Sequence, residues 1–141
     1  MGAAPDHLNR ARYNEDLANF LLDDQNAQRE NGSHRWAVVA YHYAARELCH
    51  AYLDKHQRDQ ALRHPKGHGE LSDAMARTLR DPQVTGSLQV LRDMSEGARY
   101  LDEYATDDTW WKGSYPTPRD AAQVAADEYG AIRRTLMPLT I

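Results

Sequence analysis

Cysteine is nearly absent from this chain of 141 residues: Cys49 stands alone, which forbids an internal disulfide and fits a reducing compartment. Lysine is scarce too, at three residues. Aromatic residues make up 9%, and no apolar run approaches the ~18–20 residues of a membrane-crossing helix, so no membrane partner is expected. The opening Met1-Gly2-Ala3-Ala4-Pro5-Asp6 has no basic stretch ahead of an apolar one, so no signal peptide is expected. Asp6 also occupies the place where a myristoylation signal wants Ser or Thr. A cytoplasmic location follows as the expectation. An excess of positive charge is lacking as well, since 17 Lys and Arg against 21 Asp and Glu leave a net charge of −4. That balance excludes indiscriminate coating of nucleic acid and requires any anion site to be local.

What the chain does have is arginine and histidine. Of the 17 cations 14 are Arg, and seven His stand beside them. Arg is suited to planar, bidentate contact with carboxylate and phosphate, whereas Lys is the generic solubiliser. Hydrophobic residues reach 41% with a mean hydropathy of −0.82. A chain of this length makes one domain, residues 1–141, and buries roughly 68–70% of its extended-chain surface.

The apolar periodicity is helical throughout, and no run alternates with period two. A first helix is predicted from His7 to Asp24, with Leu8, Ala11, Leu17, Phe20 and Leu21 inward. Asn31-Gly32-Ser33 breaks it, and Ser33 can cap the next helix, His34 to His56. On that long helix Ala37, Tyr41, Ala44, Ala45, Leu48 and Tyr52 share one face, while Val39 and Leu53 lie on another, so neighbours should enclose it. A polar, basic link, Gln57 to Gly69, leads to a short helix from Glu70 to Arg80. Asp81-Pro82 then reads as N-cap and first residue of a helix running to Tyr104, with Val84, Leu88, Leu91, Ala98 and Leu101 inward. Thr117-Pro118-Arg119-Asp120 starts the last helix, whose stripe of Ala122, Ala125, Tyr129, Ile132 and Leu136 runs until Pro138. The expected fold is all-α, an up-and-down bundle of four long helices and one short helix.

Four groups of residues can carry chemistry. His42, Arg46 and His50 recur every four residues on the long helix and share one face. They form either an anion or phosphate pocket with acid–base groups near neutrality, or a face exposed to water or paired with acids. Glu47-Leu48-Cys49-His50 contains the Glu-x-x-His spacing of di-metal bundles, but no second copy exists, so neither metal nor cofactor is expected. Cys49, at mid-helix, reads as a small core residue. Between Lys55 and His68 four cations, Lys55, Arg58, Arg63 and Lys66, face the single acid Asp59, with His56, His64 and His68 among them. Gly67 lets the backbone approach a ligand just ahead of a helix start; the alternative is a solvated loop. Late in the fourth helix Arg99 and Tyr100 flank Ala98, placed either to close over a pocket or to pack structurally. Trp110-Trp111 suggest a partner surface or a plug over the bundle end.

Trp36-Ala37-Val38-Val39-Ala40-Tyr41-His42-Tyr43-Ala44-Ala45, followed by Ala51-Tyr52-Leu53, resembles the long helix of HEPN-domain proteins (higher eukaryotes and prokaryotes nucleotide-binding). The following loop with His68 and the stretch Met94 to Tyr100 match that family's small bacterial members, so the resemblance covers Ser33 to Tyr104. It implies a helical bundle that dimerises and acts as a metal-independent ribonuclease in toxin–antitoxin or defence systems, or as a non-catalytic partner of a nucleotidyltransferase. It also implies an Arg and a His at short spacing as the catalytic pair, which Arg63 and His68 match, with Arg63 as phosphate clamp and His68 as base. Arg46, His42, His50, Lys66, Arg99 and Tyr100 are then the candidate phosphate-binding residues. The competing expectation is a helical oligomerisation protein without chemistry, built on the Ala-rich faces and the Trp-Trp loop.

Overall fold

Six helices, α1 (Ala4–Leu22), α2 (Asn31–His56), α3 (Gln60–Arg63), α4 (His68–Thr78), α5 (Pro82–Arg99) and α6 (Pro118–Thr140), make up a computed structural model that describes residues 4–23, 31–99 and 114–141. No strand occurs among the described residues, so the fold is all-α, as the periodicity predicts. None of the described helices is long and apolar enough to cross a membrane.

Side-chain pairs fix the helix directions. Tyr41 donates to Asn19 Oδ1 at 2.6 Å while His7 meets Glu47, so α1 and α2 run antiparallel. Tyr41 packs on Tyr129 with ring centroids 5.6 Å apart, and His56 reaches the Leu139 carbonyl at 2.7 Å, so α6 runs parallel to α2. Gln57 donates to Thr78 Oγ1 at 2.5 Å beside the start of α5, while His68, stacked on His42, feels Arg92 and Glu96 from farther along that helix. Thus α5 opposes α2, and the four long helices alternate up and down.

Helix α2 is the spine, packing against α1, α6 and α5. Its faces explain why: Ala37, Tyr41, Ala44, Ala45 and Leu48 are buried, and so are Val39 and Leu53. The inward residues expected on α6 are all buried, as are Leu71 and Met75 of α4 and Val84, Leu88, Leu91 and Ala98 of α5. Full burial of one such Leu or Ile stabilises by ~1.5–3 kcal/mol. Thr117 caps α6 by accepting from the Asp120 N–H at 3.0 Å, and Asp81 caps α5 by accepting from the Gln83 N–H at 2.9 Å.

Several expectations are corrected. Leu17 and Phe20 do not face inward but are 40% and 60% exposed; Ala11 and Ala18 take the inward face, with Leu8, Leu21 and Leu22 packed at its edges. Small side chains on both helices let α1 lie close against the alanines of α2. Helix α2 begins at Asn31 rather than His34, so Ser33 sits within its first turn instead of capping it. The link folds into α3, where Asp59 accepts from the Ala61 N–H. Helix α4 starts and stops two residues earlier than expected, and Arg80, at φ 58°, makes the turn that follows. Helix α6 continues through Pro138 to Thr140. Residues 100–113, including Leu101 and Trp110-Trp111, lie outside the described residues.

Candidate functional site

Two pairs of stacked imidazoles flank one arginine along α2. Positions 42, 46 and 50 are one turn apart, so their side chains rise as a ladder on a face rotated away from the alanine-rich one. At the upper rung His42, 2% exposed, stacks on His68 from the start of α4, with centroids 5.1 Å apart. At the lower rung His50 stacks on His7 of α1 at 5.3 Å and an interplanar angle of 21°. Arg46 stands between them with its guanidinium 5.7 Å from the Tyr43 ring centroid. Its Nε is buried and has no hydrogen-bond partner among the described residues.

Burial sets the protonation states. It pushes Arg46 down from the ordinary arginine value, opposed by the neighbouring Glu47. Burial, reinforced by His7 and Arg46 and by His64 from the link, lowers His50 to about 4. His68 is lowered by partial burial and then by Arg46 and Arg92, with Glu96 acting in the opposite sense. Both rings are therefore neutral at pH 7 and able to accept a proton. Cys49, fully buried and pushed up to about 12, remains a thiol and packs as a small apolar residue.

Glu47 lies on the side of α2 that meets α1. One oxygen, Oε2, accepts a hydrogen bond from His7 Nδ1 at 2.5 Å, and Oε1 accepts one from Arg10 Nε at 3.3 Å. The Glu-x-x-His spacing of Glu47 and His50 thus serves a contact between helices. Among the described residues no three His, Cys, Asp or Glu side chains converge in a way that suits a metal ion.

Of the residues expected from the sequence, the structure brings together His42, Arg46, His50 and His68. Arg63 is directed elsewhere: its Nη2 lies 3.5 Å from Asp54 Oδ1, and the guanidiniums acting on His68 are those of Arg46 and Arg92. Lys66 is exposed, and its backbone N–H donates to Glu70 Oε2 at 2.9 Å, so that acid already takes up part of the anion-attracting start of α4. The Arg99 side chain and Tyr100 lie outside the described residues. Arg92, Arg10 and His7 join the site although no motif in the sequence marks them. A signal for His7 does exist: it lies one turn from Ala11 on the inward face of α1, where an apolar residue is the rule. No protein-family model, no curated protein and no solved structure matches this chain.

Proposed function

We propose that this bundle binds a phosphate group of RNA or of a nucleotide at Arg46. The observation that carries the reading is a guanidinium partly withdrawn from water, with a buried and unpartnered Nε and the neutral rings of His50 and His68 on either side. Such a group is costly without an acceptor, and a phosphate oxygen supplies one with charge. Arg92 of α5 also acts on His68, but it is paired with Glu96 at 3.3 Å, so Arg46 is the cation the reading rests on. The likeness of α2 to the HEPN long helix supports RNA as the ligand class, with a metal-independent ribonuclease or a nucleotidyltransferase's companion in toxin–antitoxin or defence as the finer readings. In the ribonuclease form the clamp falls to Arg46, since Arg63 is held by Asp54 and Arg92 by Glu96. The base would then come from the neutral imidazoles beside Arg46.

Titration of labelled single-stranded RNA at several salt concentrations tests this. Arg46→Met should weaken binding roughly 10- to 100-fold, the effect of losing one charged hydrogen bond. It should also flatten the salt dependence by ~0.7 in slope. Arg77→Met, an exposed control paired with Asp73 on α4, should bind as wild type does. An unchanged slope and affinity in Arg46→Met overturn the assignment.

A second reading, a helical interaction protein forming a homodimer, is favoured by the outward side of α1. There Tyr13, 71% exposed, Leu17 and Phe20 recur at helical spacing. Sedimentation as a strict monomer removes its support.

A further inference from the structure

Where α1 meets the end of α6, a second group of charged side chains surrounds a cavity of about 130 Å³. Arg12 and Glu15 line it from α1, and Tyr129, Arg133, Met137 and Ile141 line it from the other side. Positions 12 and 15 are neighbours on one side of a helix, where an arginine and a glutamate ordinarily pair. Here they do not. Glu15 is turned toward α6: its Oε1 accepts from the Tyr129 hydroxyl at 2.5 Å and from Arg133 Nε at 3.0 Å. Tyr129 is buried, so this carboxylate is fixed from inside the bundle. Among the described residues no hydrogen bond reaches Oε2 of Glu15, and the exposed Arg12 makes neither a hydrogen bond nor an ion pair. Met137, packed at the edge of the core, gives the cavity an apolar wall. The Ile141 carbonyl is held by Lys55 Nζ at 2.9 Å.

We infer that this cavity binds a small α-amino acid with a short apolar side chain. The ligand's carboxylate pairs with Arg12, a planar fork suited to it, and Arg133 adds a second guanidinium to the lining. The ligand's ammonium donates to Glu15 Oε2, since a carboxylate has acceptor sites on both oxygens and only Oε1 is taken up within the chain. The side chain rests against Met137 and Ile141. An anion without an ammonium fits less well. In so small a space its charge lies within a few ångströms of the Glu15 carboxylate, and like charges at that range repel unless a cation stands between them. A cation without a carboxylate leaves Arg12 unused. Size is set by the volume: a benzene ring alone fills a cavity of roughly 150 Å³, so an aromatic side chain is excluded. No ladder residue lines this cavity, so its ligand is independent of the phosphate at Arg46.

Isothermal titration of the full chain with L-valine tests this, beside isobutylamine, which lacks the carboxylate, and 3-methylbutanoate, which lacks the ammonium. Wild type should bind L-valine roughly 10-fold or more tightly than either analogue, the worth of one charged hydrogen bond. Arg12→Met should weaken L-valine binding roughly 10- to 100-fold. Arg12 is exposed and unbonded, so its replacement should leave the fold intact, which circular dichroism checks. Met137→Trp, which fills the cavity, should abolish binding. In nuclear magnetic resonance L-valine should shift the Nε signal of Arg133, which shares Glu15 with the ligand, and leave that of Arg77 in place. Arg46→Met should bind L-valine as wild type does. No heat from L-valine, an unchanged affinity in Arg12→Met, or 3-methylbutanoate bound as tightly as L-valine overturns the inference, and each leaves the phosphate site at Arg46 standing.

Discussion

Acid should loosen this bundle through His50. In the folded chain burial, then His7, Arg46 and His64, hold the imidazole at about 4 against an ordinary 6.5. Arg10 from α1 and Glu47 complete its charged surroundings. Between those two values the unfolded chain binds a proton that the folded chain does not, so stability falls as the pH falls. At pH 7 the contribution is nearly intact. Each tenfold difference in proton affinity between the two states is worth ~1.4 kcal/mol, so linkage removes about 2 kcal/mol by pH 5 and ~3 kcal/mol near pH 4. For a domain of this size 2 kcal/mol corresponds to a drop in Tm of roughly 6–10 °C. Thermal unfolding followed by circular dichroism at pH 7, 6 and 5 measures it. In His50→Gln, which keeps a polar side chain but cannot titrate, the decline should shrink by about that amount, whatever the variant's own stability at pH 7. Equal declines in the two proteins, or a wild type that gains stability on acidification, refute the reasoning.

At the other end of the scale, burial and the nearby Glu15 carboxylate raise Tyr41 to about 12, and burial with the Tyr129–Glu15 hydrogen bond raises Tyr129 further. Stability from these phenols is complete below pH 10 and is lost above it, by about 1.4 kcal/mol per pH unit for each tyrosine. Tyrosinate absorbance should therefore show a late step coincident with loss of helicity, smaller in Tyr41→Phe and in Tyr129→Phe; a single transition of all eight tyrosines with helices intact contradicts it. In the core, Leu91→Ala and Leu48→Ala remove fully buried side chains and should each cost ~2–5 kcal/mol in urea unfolding, whereas Leu17→Ala on the outward side of α1 should stay within ~0.5 kcal/mol of wild type. A large effect at Leu17 would show that this face is covered.

The parts of the fold that follow from period and punctuation are legible in the chain. Thr117-Pro118 and Asp81-Pro82 start helices through local contacts, and the stripes of α5 and α6 need only the period of 3.6 to be read. Helix α1 misleads because its large apolar residues claim the inside, whereas close contact with α2 favours Ala11 and Ala18. The ladder of His42, Arg46 and His50 is legible as a ladder, since its spacing is that of one helix. Its partners are not. His7 and Arg92 come from other helices, and no spacing within a sequence states which distant side chain will stack or pair. Arg63 illustrates the same limit: its count to His68 suits a catalytic pair, yet Asp54, at the end of the preceding helix, lies within reach once α3 folds back. Spacing pairs Glu47 with His50, three residues away, but the carboxylate turns instead to α1.

One helix serves both as the spine of the core and as the support of the site, and the two roles constrain each other. Residues one turn apart stay on one side of a helix, so the alanine-rich face can be packed tightly without displacing Arg46 or the imidazoles beside it. Burial within the bundle is also what partly desolvates that arginine and lowers His50 and His68. Moving the ladder to an exposed face would relieve the desolvation and restore ordinary protonation, leaving histidines that spend part of their time charged and unable to accept a proton. Its place inside the bundle therefore costs stability and at the same time keeps His50 neutral and the arginine short of an acceptor. Tight packing around α2 matters for the site for the same reason: an imidazole pair stacked at 5.1–5.3 Å keeps its geometry only while α1 and the start of α4 stay seated on that helix.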